Sequence, residues 1–313
     1  MLKVVFFGTP QIAVPSLEHL TNQPDIKVVK VVTQPDKPSG RGQKLVSSPI
    51  KQLAEQKKIN VLQPTRIRLD NAVLDKLREL KPDIFITFAF GQILSQEVLD
   101  IPRLGTVNLH ASLLPKYRGA NPIQWPIING DKYSGVTTML TDIGVDTGDI
   151  LLTEKIEITE NMTSLQLMER IAEISPEILH KTIIGLNDGT LKRIPQNEAE
   201  ATHARKVVKE DGIIDWNKDA VAIHNLIRGV QPWPMATTKF NDINLKIIEA
   251  SVENSEEVYE ETGKVLNLTK NGIIISASKG SIVLKQIQPE GKKVLDAYSY
   301  SNGARMKIGD KLN

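Results

Sequence analysis

Asn108 and His110 stand two residues apart at the end of an apolar run, and Asp146 follows 36 residues later inside Asp142-Ile143-Gly144-Val145-Asp146-Thr147-Gly148-Asp149. If 106–110 is a strand, alternation points Asn108 and His110 to one face and Leu109 to the other. An amide that donates hydrogen bonds and an imidazole that moves protons then share one small surface. A carboxylate brought beside them would fix the tautomer of the imidazole. Such a trio can carry an acyl-type group from one nitrogen to another.

Each of these residues also has a plainer reading. His110 alone is equally well a capped strand end, and Asn108 alone a strand-end residue satisfying the backbone. His19, His180 and His224 fall on expected helices and His203 in a polar stretch, so they read as structural or solvent-facing. Asp142, Asp146 and Asp149 match calcium ligands in number. Their spacing is not that of an EF-hand, and no glutamate closes a twelve-residue loop. Gly144 and Gly148 would equally serve a plain turn. Gly8-Thr9-Pro10 lacks both G-x-G-x-x-G and a G-K-[ST] ending, so a nucleotide cofactor is not supported. The chain has no cysteine, which removes disulfides, thiolate nucleophiles and cysteine-based metal sites.

The elements that must position the trio are legible from periodicity. Strands are expected at 3–7, 27–33, 60–63, 83–88 and 105–109, with helices at 14–20, 49–58, 70–80 and 95–99 between them. This alternation predicts an α/β fold with a doubly wound, mostly parallel, Rossmann-like sheet, whose ligands bind outside the carboxyl ends of the strands. Gly8, Thr33, Phe88 and 108–110 fall at those ends. Two more strands are expected at 133–140 and 150–158. A long helix at 164–186 follows, with Pro176 as a kink or break. Several short β-rich runs between 236 and 288 suggest a small β-barrel. With 313 residues, the division expected is 1–189, a linker at 190–208, and 209–313.

Charge adds a second clue. The formal net charge of +2 says little, but between Lys37 and Ala54 the charged residues are Lys37, Arg41, Lys44 and Lys51, with no acid among them. By charge alone this is a solvated, flexible surface loop. From Val207 onward 14 basic residues balance 14 acidic ones, so a polyanion contact there must be a local patch. The apolar run Val4–Phe7 is too short for a signal peptide or membrane helix, and no run of about 18 apolar residues occurs. A cytoplasmic protein without membrane contact is expected, with a monomer as the default.

Together these stretches resemble the formyltransferase family that uses 10-formyltetrahydrofolate. The resemblance runs through Phe6–Pro10, Gln34–Gly42, Asn108–Pro115 with Arg118-Gly119, Asp142–Gly144 with Asp146–Gly148, Lys209–Trp216, Asn225–Gly229 and Pro232–Pro234. Met235 stands where the family commonly has glycine, and Asn121 where it commonly has alanine. The resemblance implies an OB-like C-terminal barrel and formyl transfer to the α-amine of methionine on initiator methionyl-tRNA. It implies catalytic roles for Asn108, His110 and Asp146. It implies that Ser112, Leu113, Leu114 and Pro115 line the site for tetrahydrofolate derivatives, and that Lys37, Arg41 and Lys44 grip the acceptor end of the tRNA. No metal is implied.

Overall fold

The computed structural model describes residues 1–39 and 44–313. Two compact units emerge. The first comprises Met1–Pro122, Ser134–Ile156 and Met168–Ala204, and the second Ile123–Tyr133, Glu157–Leu167 and Arg205–Asn313. The chain therefore divides differently from the linear expectation. The stretch 190–204, expected to be linker, packs within the first unit: Ile194 exchanges backbone hydrogen bonds with Ile150 (2.8 and 2.9 Å), and Ala120 N–H donates to Ala204 O (2.9 Å). Two segments that interrupt the first unit, 123–133 and 157–167, join the second unit.

The first unit opens with β1 (Leu2–Gly8), α1 (Val14–Thr21) and β2 (Ile26–Val32). A short antiparallel ribbon follows, made of β3 (Lys37–Ser39) and β4 (Lys44–Val46), where the sequence suggested only a loop. Next come α2 (Pro49–Gln56), β5 (Val61–Leu62), α3 (Asn71–Glu79), β6 (Ile84–Phe88), α4 (Gln96–Leu99), β7 (Thr106–His110) and β8 (Arg118–Gly119). The Ser48 and Asp70 side chains accept from the Lys51 and Val73 N–H groups (both 3.1 Å), satisfying donors at the starts of α2 and α3. After α5 (Gln124–Ile128) come β9 (Tyr133–Leu140), β10 (Ile150–Glu157), α6 (Ser164–Asn187) and β11 (His203–Ala204). Pro176 lies inside α6, which runs through it without a break.

The main sheet has the order β10-β9-β7-β6-β1-β2-β5. Strands β5, β2, β1, β6 and β7 pair in parallel, and β9 runs antiparallel to β7. Strands buried on both faces explain the continuous apolar runs of β1 and β6. One face is packed by Phe7, Phe85, Phe90, Leu74, Leu77 and Val98, with the Phe7 and Phe85 rings 4.9 Å apart. The strand order reverses at β1/β6, so the crevice outside their carboxyl ends is the natural ligand position.

In the second unit, α7 (Ala220–Gly229) precedes β12 (Ala236–Phe240), β13 (Ile243–Val258), β14 (Val265–Thr269), β15 (Gly272–Ser276), β16 (Lys279–Pro289), β17 (Leu295–Asp296) and α8 (Ala297–Gly303). The antiparallel order is β12-β13-β16-β15-β14, with β17 on β16. The segment 309–313 closes the sheet. Lys239 and Asn313 exchange backbone hydrogen bonds at the β12 edge (2.8 and 3.0 Å), while Val265 N–H donates to Asp310 O at the β14 edge (2.8 Å). Closure removes the exposed edges, as expected for an OB-like barrel. Strand β13, at 16 residues, is longer than the short β-rich runs expected in this region, because its polar end 253–258 gave no apolar alternation.

Candidate active site

Strand β7 carries Leu109 into the core at 2% exposure and turns Asn108 and His110 to its other face. Register places Asn108 beside Thr87 on β6. The Thr87 hydroxyl donates to Asn108 Oδ1 at 2.8 Å, which fixes the amide so that Nδ2 faces Asp146. Nδ2 donates to Asp146 Oδ1 at 3.4 Å. The other carboxylate oxygen, Oδ2, accepts the Gly119 N–H at 2.8 Å and lies 3.5 Å from His110 Nδ1. One carboxylate thus faces the amide, the imidazole and a backbone donor. All three expected residues come together at the carboxyl end of β7.

The far side of the ring adds a partner that the sequence did not reveal. His110 Nε2 is 2.9 Å from the Tyr117 carbonyl oxygen. A carbonyl only accepts, so Nε2 is the donor in this contact, and Nδ1 is the ring nitrogen on the Asp146 side. The contact to Tyr117 is shorter than the one to Asp146 and so holds the ring more closely, where the sequence pointed to the carboxylate. His110 is 6% exposed along its side chain and Asp146 15%, so the carboxylate is the more open of the pair.

Asp146 sits in a tightly determined loop. Its own φ is +55°, in the left-handed region. Asp142 Oδ1 accepts from Gly144 N–H at 3.1 Å and from the Thr147 hydroxyl at 2.6 Å, which is the turn the glycines suggested. At Gly148 a Cβ would fall 1.6 Å from Leu140 O, so only glycine fits there. Gln196, from the stretch expected to be linker, donates to Asp146 O and Gly148 O, both at 2.8 Å.

The loop after β7 is tied both within itself and to Thr137 of β9. The Ser112 hydroxyl donates to Lys116 O (2.6 Å), while the Thr137 hydroxyl donates to Ser112 O (2.7 Å) and accepts from Leu114 N–H (3.1 Å). Ser112 and Leu114 are buried, whereas Leu113 and Pro115 are half-buried. The loop therefore offers a fixed, apolar edge rather than free polar groups.

Of the basic residues, Lys37 is exposed on β3, and Lys44 opens β4. Arg41 lies outside the described residues. Lys51 is not a free cation: its ammonium donates to Asp36 Oδ2 at 2.6 Å. Among the described residues, no group of three or more His, Cys, Asp or Glu could hold a metal ion, and no helix is long and apolar enough to cross a membrane.

Comparison with known proteins identifies the family. The formyl transferase family profile matches residues 2–183, and the formyl transferase C-terminal domain profile matches 206–305. The chain is 44% identical over 312 residues to the methionyl-tRNA formyltransferase of Ruminiclostridium cellulolyticum, spanning 99% of both proteins. It is 44% identical to that of Acetivibrio thermocellus, again over 99% of both. Among solved structures it resembles the N-formyltransferase of Helicobacter canadensis, crystallised with folinic acid and dTDP-3-aminofucose, at 25% identity and a TM-score of 0.69, covering 92% of this chain and 100% of that one. The chain belongs to the formyl transferase family, among the methionyl-tRNA formyltransferases.

Proposed function

We propose that this protein transfers the formyl group of 10-formyltetrahydrofolate to the α-amino group of methionine on initiator methionyl-tRNA, for translation initiation. The observation that carries this reading is the Asp146 carboxylate facing Asn108 Nδ2, His110 Nδ1 and the Gly119 N–H, in a chain 44% identical over its full span to methionyl-tRNA formyltransferases. The half-buried Leu113 and Pro115 give a fixed apolar edge next to His110, which suits a flat reduced pterin. Ser112 and Leu114 hold that edge from behind. When bound, the folate derivative supplies the formyl carbon on its N10.

The remaining chemistry belongs to this chain. Thr87 holds Asn108 Oδ1, so the second Nδ2 hydrogen is free to meet charge developing on the formyl oxygen as the amine attacks. His110 Nδ1 takes the proton from the amine and returns it to the leaving nitrogen. The imidazolium formed in between has Asp146 on one side and the Tyr117 carbonyl on the other, so both its N–H groups are met. Lys37, Arg41 and Lys44 neutralise phosphates of the acceptor end, a contact that weakens as salt rises.

Asn108→Ala, His110→Ala and Asp146→Ala test this reading. Each should lower kcat for formyl transfer by roughly 10²-fold or more, while methionyl-tRNA affinity stays within about twofold. Wild-type turnover by any of the three removes that residue from the mechanism.

A further inference from the structure

We propose that Gln196 is a positioning residue for Asp146, which extends the reacting constellation into the stretch after α6. The inference rests on the transfer reaction proposed above. Both hydrogens of the Gln196 amide are spent on the catalytic loop, at 2.8 Å to Asp146 O and 2.8 Å to Gly148 O. Its Oε1 accepts Arg118 Nε at 3.0 Å and Arg118 Nη2 at 2.9 Å. Arg118 is 2% exposed, and its Nη1 and Nη2 donate to the Glu198 carboxylate at 2.9 and 2.7 Å. The Glu198 hydrogen bond raises the Arg118 pKa and Arg118 lowers that of Glu198, so the pair stays charged at neutral pH. An ion pair thus anchors an amide, and the amide anchors the loop.

Only a carboxamide does both jobs at position 196. It presents two donors to two carbonyls and an acceptor to a guanidinium, without adding charge. Asp146 needs such a hold. Its backbone is left-handed, and its carboxylate reaches Asn108 at 3.4 Å and His110 at 3.5 Å, the far limit of useful contact. A shift of a few tenths of an ångström breaks both.

Gln196→Glu separates the two halves of the device. The carboxylate keeps Arg118 but sets oxygens against two carbonyls. The expected result is a fall in kcat of about 10–100-fold, with KM for the formyl donor and for methionyl-tRNA within about twofold. The decisive readout is a double-mutant cycle on the full chain. If Gln196 acts through Asp146, then Asp146→Asn with Gln196→Glu is no slower than Asp146→Asn alone. Multiplying losses, or wild-type kcat in Gln196→Glu, overturns the inference while leaving the reaction intact. Wild-type turnover by Asp146→Asn overturns the reaction assignment and the inference with it. Should Gln196→Glu fail to fold, Gln196→Asn carries the same cycle, because it keeps the amide and withdraws it by one methylene.

Discussion

Thr87 decides which end of the Asn108 amide turns toward Asp146, and in the proposed reaction toward the formyl oxygen. Its hydroxyl, on the neighbouring strand, donates to Oδ1 and leaves Nδ2 outward. Thr87→Val keeps the shape and removes the donor, so the amide is free to flip. A fall in kcat of about tenfold with little change in KM is expected from steady-state kinetics. An unchanged kcat would mean that Asp146 alone orients the amide. Position 235 makes a second argument about single residues. Met235 has φ +73°, a left-handed backbone that glycine adopts without strain. Met235→Gly should therefore stabilise the protein by up to ~1 kcal/mol, read from chemical denaturation. A loss of stability would show that the methionine side chain outweighs the strain. That Asn108 and His110 share one face was readable from strand alternation, while their roles rested on the family resemblance. Thr87 was not readable, because its meaning lies in the register between strands, which no single stretch encodes.

The β3–β4 ribbon shows what an element needs beyond its own residues. Its base is clasped by Asp36, which accepts from Lys51 (2.6 Å), Gln63 (2.8 Å) and Ser47 (3.4 Å). Lys51, the one cation of the acid-free stretch that the resemblance does not assign to tRNA, is committed to this clasp. The Lys51 ammonium, followed by the Gln63 amide, holds the Asp36 carboxyl below its ordinary pKa. A depressed carboxylate contributes fully above its unfolded value, near 3.9, and its contribution fades as pH falls through the lower folded value. The clasp is therefore intact at neutral pH and opens only below about pH 4. Asp36→Asn mimics that loss at pH 7. It should raise KM for methionyl-tRNA several-fold and leave kcat nearly unchanged, because the ribbon lies apart from the trio. A fall in kcat at constant KM would contradict the proposal that the ribbon grips tRNA.

Over the whole molecule, the mostly parallel sheet and the barrel were legible because their apolar periodicities are strong, whereas the order of the strands came only with the structure. The division into units was not. Arg228, 7% exposed, donates to Met162 O at 2.8 Å, and the Ser164 hydroxyl donates to Gly229 O at 2.5 Å. Trp125 Nε1 donates to Arg205 O at 2.7 Å. These bonds gather 123–133 and 157–167 into the second unit, and each joins residues 60 or more positions apart. Gln196 was missed for a related reason: it stands in a polar stretch without period, and only its partners reveal it. The most direct test of the account offers 10-formyltetrahydrofolate labelled in the formyl group to the wild-type protein with methionyl initiator tRNA, glycinamide ribonucleotide and an amino-sugar nucleotide present together. The account predicts label on the methionine amine of the tRNA, absent when His110 is alanine. Label on the sugar nucleotide or the ribonucleotide, or on no amine, would contradict it.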